Sequence, residues 1–510
     1  MAMGEKNERP KPRLARGFRD VVGAELAARY KMIETIRRVY ELYGFAPLET
    51  PTVEFADMLG KFIQETGLPD EGVFSFKADQ PEWLALRYDL TAPLSRYFAQ
   101  HRDLPRPFRR YQIGSAFRIE KPGPGRFREF IQFDIDTVGS ASMAADAEIC
   151  CVLCDAFDAL GLAGRYVVRV GNRRVLNGVL EASGVDTKAD GGVTSTRVMR
   201  CVDKFERLGL GGVVALLRLG RMDESGDFTE GAGLTEAQVA VVTEYLKASA
   251  DTRRGLCEAL GKIVGQSQEG KSGVDELKKI DEFLTAAGYD EQRVVFDPTI
   301  VRGLTYYTGP VYEASLKDEK GNFTSSIAGG GRYDNLIERF TGQKVPATGA
   351  SIGVDRLLDV LKGAERIAES VLAPVLVTQM DERHVPEYTA MVFELRRAGI
   401  PAELFLGRGN IGKQLKYADQ RNIPLAVIAG DDEFATNSVS IKDLRLGAEV
   451  ASEVGERSEW LKHEQTQETV PREELVERIA ALLAKYSSGV GADPRVRPHG
   501  SERRQSGNEL

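Results

Sequence analysis

Strand-like text occurs twice in this chain, from about Gly17 to Gly139 and again from about residue 296, with a block of helical pattern between. In the first stretch ELAARYKMIETIRRVYELYGF has the apolar spacing of an amphipathic helix, and Gly44 suits its C′ position. FSFKA, LALRYDL, FRRYQIGSAFRIE and EFIQFDIDTVG then read as strands, with partial period-2 alternation in LALRYDL and FDIDTVG. Strand character returns in VVFDPTIVRGLTYYTGPVYEASL and SSIAGG, before helices that end near Lys362. The text therefore predicts one discontinuous strand-rich domain, residues 17–171 and 296–365, interrupted by a helical insertion over 172–295.

From about residue 371 the style changes. APVLVTQM, PAELFLG and PLAVIAG alternate with helices, one of them from about 411, and PREELVERIAALLAKY closes the unit. Alternation of this length predicts a compact α/β domain, residues 371–486, with a mainly parallel sheet. Residues 1–16 are charged and read as a flexible N-terminus. Residues 487–510 are polar and rich in Gly and Pro, which predicts a disordered tail.

Composition narrows the class. At roughly 150 residues per domain, 510 residues suggest about three domains. The chain is 42% hydrophobic and 28% charged, ordinary for a soluble globular protein. No run approaches the ~18 apolar residues of a membrane span, and the N-terminus lacks an apolar secretory core, so a cytoplasmic location is expected. With 68 basic against 76 acidic residues the net charge is −8, which excludes a globally basic nucleic-acid binder but not a local basic surface. Five cysteines make no disulfide framework. Cys150, Cys151 and Cys154 sit on a helical pattern and read as core packing, since no His lies near enough in sequence to complete a metal site.

Several clusters carry chemistry. Gly407-Arg408-Gly409-Asn410-Ile411-Gly412-Lys413-Gln414 follows the P-loop spacing until Gln414 takes the place of the Ser or Thr that would hold Mg²⁺. P-loop chemistry is therefore not expected, though a helix start with free amides and Lys413 could hold an RNA phosphate. Arg118, read as lying on a strand, precedes the loop Pro122-Gly123-Pro124-Gly125 and then Arg126-Phe127-Arg128-Glu129-Phe130. Guanidinium binds phosphate bidentately and also lies flat on aromatic rings, so this segment suits a polyphosphate and a stacked base. Three more clusters follow: Arg302 to Gly309 with Tyr306 and Tyr307, Ala328 to Asp334, and Gly349 to Arg356. One such cluster fits a solvated edge hairpin; four in one domain point to a ligand site.

These residues resemble the histidyl-tRNA synthetases, a class II aminoacyl-tRNA synthetase family, and the likeness runs from Gly17 to about Tyr486. Pro51 resembles the proline of motif 1, FRIEKPGPGRFREFIQFDIDTVG resembles motif 2, and GASIGVDR resembles motif 3. RGLTYYTGPVYE and AGGGRYD are similar to the histidine-specific segments of the family. The resemblance implies a class II antiparallel sheet flanked by helices, an α+β catalytic domain with the insertion, and a C-terminal α/β anticodon-binding domain. It implies ATP-dependent ligation of L-histidine to tRNA(His), a homodimer formed through motif 1, and Mg²⁺ carried on the ATP phosphates with no protein-bound metal.

The resemblance also assigns roles. Arg118 would hold the α-phosphate, Glu120 the adenine amino group, and Phe130 with Arg356 the faces of the adenine ring. Asp89, Thr91 and Gln132 would bind the α-amino group. Asp136 and Tyr307 would bind the imidazole, with Tyr306 and Tyr333 lining the pocket. Arg302, with Arg118, would be catalytic, stabilising charge as the carboxylate attacks phosphorus. Arg126, Arg128, Lys413 and Lys416 would contact tRNA. The alternative is a non-catalytic, synthetase-like regulatory subunit of histidine biosynthesis, which would lack the C-terminal domain and part of the signature.

Overall fold

The computed structural model of the chain describes residues 11–59, 72–79, 81–123, 125–187, 193–222, 226–301, 307–317, 323–363, 373–446 and 466–488. The chain divides into two compact units, the first of residues 1–21 and 28–368 and the second of residues 22–27 and 369–510. Among the described residues no helix is long and apolar enough to cross a membrane.

The first unit is built on an eight-stranded sheet of β1 (Ala46–Pro47), β5 (Phe108–Phe117), β6 (Glu129–Val138), β7 (Tyr166–Asn172), β10 (Val294–Phe296), β11 (Pro310–Lys317), β12 (Phe323–Arg332) and β13 (Ala347–Gly353). Their order is β1-β5-β6-β13-β12-β11-β7-β10. The six central strands pair antiparallel, and the short edge strands β1 and β10 pair parallel to β5 and β7. A three-stranded sheet of β2 (Val53–Phe55), β3 (Ser75–Phe76) and β4 (Leu84–Leu86) and a hairpin of β8 (Gly220–Met222) and β9 (Phe228–Glu230) accompany it.

The helix Gly23–Leu42 buries Met32, Ile36, Val39 and Tyr40, the spacing of one helical face. It ends as a Schellman motif. Gly44 has φ +76°, its amide donates to Glu41 O at 2.9 Å, and the Phe45 amide donates to Tyr40 O at 3.2 Å. The helix Met143–Ala159 buries Cys150, Cys151 and Cys154, and burial pushes all three thiols up, Cys151 to about 12. These cysteines are packing residues.

The described residues of 173–286 are largely helical, in six segments with the β8–β9 hairpin among them. Their apolar residues belong to the same core as the sheet: Val175, Val198, Val242 and Leu277 join Val168, Tyr312 and Ile352 in one cluster. The strand β7, unmarked in the sequence reading, explains this. It lies inside the sheet between β10 and β11 and leads directly into the insertion.

The second unit has a five-stranded sheet of β14 (Val375–Val377), β15 (Ala402–Leu404), β16 (Leu425–Ile428), β17 (Ser438–Asp443) and β18 (Gln467–Pro471), ordered β15-β14-β16-β17-β18. Its parallel half is β15-β14-β16, and β17 and β18 pair antiparallel. The sheet is thus mixed where a mainly parallel one was expected. The closing helix Leu475–Ser488 buries Leu475 and Ile479 against it.

Candidate active site

Alternation along β6 sets the site. Ile135 and Phe133 turn into the apolar core, while Phe130, Gln132, Asp134 and Asp136 line a cavity of ≈ 470 Å³. The cavity gathers most of the residues singled out in the sequence. Arg118, Glu120, Arg126 and Arg356 border it with Phe130. Asp89, Thr91 and Gln132 line it as well, and so do Asp136, Tyr307 and Tyr333. Arg302 and Tyr306 lie outside the described residues. Arg128 is apart from the cavity, its Nε donating to Glu120 O at 3.3 Å. Lys413 and Lys416 are exposed on the helix Ile411–Gln420 of the second unit.

One end of the cavity is cationic and aromatic. Arg118 follows β5 by one residue, so it is not within the strand; its amide still donates to Arg128 O at 2.9 Å. Its guanidinium carbon stands 4.3 Å from the Tyr88 ring centre and 5.1 Å from that of Phe130, and its Nε donates to Tyr88 O at 3.3 Å. Stacking on two rings fixes a charge that is otherwise mobile. The loop before Phe130 turns tightly, the Arg126 and Gly123 amides each donating to the other's carbonyl at 2.9 and 3.2 Å. Arg356 opens the helix Val354–Gly363 and donates to Ser326 O at 3.1 Å.

The middle is polar. Asp89 Oδ1 accepts from the Thr91 and Ala92 amides at 3.1 and 2.9 Å, so this carboxylate caps the helix Thr91–Gln100. Gln132 Nε2 donates to Ser351 Oγ at 2.9 Å, while its Oε1 is buried with no hydrogen-bond partner among the described residues. Gly349 to Gly353 has the G-x-S-x-G spacing of a nucleophile elbow, which corrects the expectation from sequence that the chain lacks this motif. Here Ser351 is within β13, paired to Gly329 and Asp134, and no histidine is among the described residues lining the cavity.

The far end is acidic. Tyr333 donates to Asp136 Oδ1, and Arg110 Nη2 lies 2.8 Å from Asp136 Oδ2. Gly349 stands across from Asp136 on β13, where a Cβ would come within 2.1 Å of Asp136 Oδ1. Only glycine fits there. Burial holds the Asp136 carboxyl above the usual carboxylate range, against the opposing pull of Arg110 and the Tyr333 hydroxyl.

Sequence reasoning missed Asp134, Arg110, Tyr88 and Asp355. The alternation of EFIQFDIDTVG does contain the signal for Asp134, two residues from both Gln132 and Asp136. Arg110 carries no such mark. It reaches the site only because β5 pairs with β6.

In the second unit Gln414 is buried, donating to Gln379 O and Gly409 O at 2.7 and 3.1 Å and accepting from the Gln379 amide. Its side chain ties the loop at Gln379 to the start of the helix. The Lys413 amide is not free as expected, because Asn410 Oδ1 caps it at 3.2 Å. Among the described residues, no group of three or more His, Cys, Asp and Glu side chains could hold a metal ion.

Residues 17–357 match the family model for histidyl-tRNA synthetase, and residues 371–482 match that for an anticodon binding domain. A histidine–tRNA ligase of Roseobacter denitrificans is 51% identical over 522 residues, covering 95% of this chain and 99% of its own. One from Dinoroseobacter shibae is 51% identical over 497 residues, covering 95% and 100%. The crystal structure of histidyl-tRNA synthetase from Nostoc sp. PCC 7120 superposes with a TM-score of 0.72 at 30% identity, covering 93% of this chain and 100% of that one. With both family segments matched in order and relatives of this identity aligned almost end to end, the chain belongs to the histidyl-tRNA synthetase family.

Proposed function

We propose that this chain joins L-histidine to tRNA(His) through a histidyl-adenylate. One observation carries the reading: a single cavity has arginines and aromatic rings at one end and buried carboxylates at the other. ATP suits the first and the imidazole of histidine the second. In the first step a histidine carboxylate oxygen attacks the α-phosphorus and pyrophosphate leaves. In the second, a ribose hydroxyl of the terminal adenosine attacks the acyl carbon and AMP leaves. Neither step needs a protein nucleophile; positioning and charge complementarity suffice.

The roles are those the family resemblance implies. Arg118 holds the α-phosphate, Glu120 meets the adenine amino group, and Phe130 and Arg356 enclose the ring. Asp89, Thr91 and Gln132 receive the α-ammonium group, with the unpartnered Gln132 Oε1 available to it. Asp136 and Tyr307 read the imidazole beside Tyr333, and by the resemblance Tyr306 belongs to the same pocket and Arg302 stabilises the charge that develops at phosphorus. The phosphate end presents guanidinium groups, so Mg²⁺ fits this site as a companion of the ATP phosphates, where it would neutralise pyrophosphate as it departs.

The catalytic domain comprises residues 17–171 and 296–365 around the insertion 172–295, and residues 371–486 bind the anticodon. Arg126 and Arg128 near the cavity and Lys413 and Lys416 on the second unit contact tRNA. A homodimer belongs to the same reading, supported by the half-exposed Val53, Phe55 and Phe76 on the small sheet close to Pro51. The location is the cytoplasm. The regulatory-subunit alternative is not favoured, because the relatives aligned almost end to end at about 51% identity are ligases. Histidine-dependent exchange of pyrophosphate into ATP tests the reading. Exchange that needs histidine supports it, and its absence overturns it.

A further inference from the structure

The acidic end of the cavity holds two buried carboxylates where one would suffice to accept a single imidazole N–H. Asp134 and Asp136 are 3% and 2% exposed and project from the same face of β6. Arg110, fully buried, stands across from Asp136 on β5. Its Nη2 lies 2.8 Å from Asp136 Oδ2 and 4.0 Å from Asp134 Oδ2. Among the described residues no other cation comes within salt-bridge distance of the pair. One guanidinium against two carboxylates leaves one negative charge uncompensated in a buried place, which is costly.

The remaining neighbours do not cancel it. Gln112 stands opposite Asp134 but donates to Thr50 Oγ1 at 2.9 Å, and Ser351 on β13, which accepts from Gln132, offers Asp134 a neutral hydroxyl that eases its charge without balancing it. Tyr333 donates to Asp136, whereas Tyr40 behind the strand points to Phe133 O at 3.5 Å. Asp89 across the cavity adds to the negative field. Asp134 Oδ1 is buried with no hydrogen-bond partner among the described residues. Burial, opposed by Arg110, pushes the Asp134 carboxyl up, and repulsion from Asp136 adds to the shift.

We infer that Asp134 is a second reader of the histidine ring, so that ring, Asp134 and Asp136 together hold one proton more in the bound state than a neutral imidazole and two carboxylates would. An imidazolium brings two N–H donors and the positive charge that balances the trio. An imidazole set on a protonated carboxyl pair has the same proton count. The inference rests on the proposed histidine pocket.

The test is the pH dependence of the KM for histidine in pyrophosphate exchange, from pH 6.5 to 9, on the full chain. A free imidazole has lost its proton above about pH 6.5 and the empty carboxyl pair holds one only up to about pH 7, so above that pH the proton must be taken from water on binding. The KM for histidine should therefore rise with pH, approaching about tenfold per unit, while the KM for ATP lacks this slope. Asp134→Asn leaves Arg110 balanced by Asp136 alone. It should raise the KM for histidine near pH 7 by ~10–10²-fold, the scale of one charged hydrogen bond, and flatten the slope. Asp134→Ser is read in parallel should the first variant fold poorly. Titration of the α-ammonium is common to all forms and cancels in their ratio. A purely structural Asp134 would lower the melting temperature and keep the wild-type slope, and that result overturns the inference. So does a wild type without a slope. Failure of the underlying pocket looks different: Asp136→Ala would then leave the KM for histidine unchanged.

Discussion

Arg19 Nη2 donates to Asp355 Oδ1 at 2.8 Å, and the other oxygen of Asp355 accepts from the Ile131 amide at 2.8 Å. Asp355 precedes Arg356, and the Arg19 guanidinium also sits 4.1 Å from the Phe127 ring centre. A residue far from the cavity in sequence thus ties together the two segments that would enclose adenine. Arg19→Ala should raise the KM for ATP by up to about tenfold and spare that for histidine, since Arg29, 3.5 Å from Asp355, retains part of the pairing. Steady-state exchange kinetics decide it; an unchanged ATP KM would remove the positioning role.

Arg302 opens the signature segment that carries Tyr306 and Tyr307 in sequence. Arg302→Ala should cost ~10²–10³ in adenylation rate, the usual scale for one preorganised charge donor. ATP binding should largely persist through Arg118 and Arg356. Single-turnover adenylate formation measures it, and full activity in the variant contradicts the assignment.

Asp136 is both a hydrogen-bond acceptor and a member of a buried ionic trio. Sites that leave a polar group unpaired with the wrong substrate discriminate by ~10⁴ or more. Asp136→Ala should therefore lose histidine activation far more than ATP affinity. If histidine affinity survives, another residue reads the ring.

Arg332 and Asp146 form a buried pair beneath the sheet, Arg332 Nε lying 3.2 Å from Asp146 Oδ1, and Tyr312 donates to the same oxygen at 2.5 Å. Arg332→Ala should cost ~3–5 kcal/mol, because it strands a buried carboxylate. Burial already raises the Asp146 carboxyl, and Arg332 opposes that rise. Without Arg332 the folded-state pKa climbs further. The folded protein then favours the protonated acid, so stability lessens as pH rises through that pKa. The loss should be smaller at pH 5 than at pH 8 in urea denaturation. A deficit independent of pH would assign it to lost packing instead.

A fragment of residues 1–371 contains every proposed adenylation residue, and the second unit has its own apolar cluster. The fragment, if dimeric, should keep histidine-dependent exchange and lose most tRNA charging through weaker tRNA binding. Removing the residues after Ser488 should change neither activity. Undiminished charging by the fragment would show that the second unit is not the tRNA grip.

Local text determined a good deal of this protein. Period-2 alternation marked β6, the helical face of Met32, Ile36 and Tyr40 marked the first long helix, and Gly44 marked its end, because each depends on neighbours a few residues away. The motif resemblance placed Arg118, Phe130, Gln132 and Asp136 at one site, and all four line one cavity. Tertiary structure decided what depends on partners distant in sequence. Arg110 reads as one of several surface arginines until β5 pairs with β6 and buries it against Asp136. Asp134 reads as a polar residue on a strand until β6 takes its place between β5 and β13 and the side chain is buried. In the second unit β17 and β18 are not marked in the sequence, and only their antiparallel pairing makes the sheet mixed. Strand pairing and burial are long-range choices. The charge that most shapes the pocket, one cation between two carboxylates, exists only after those choices are made.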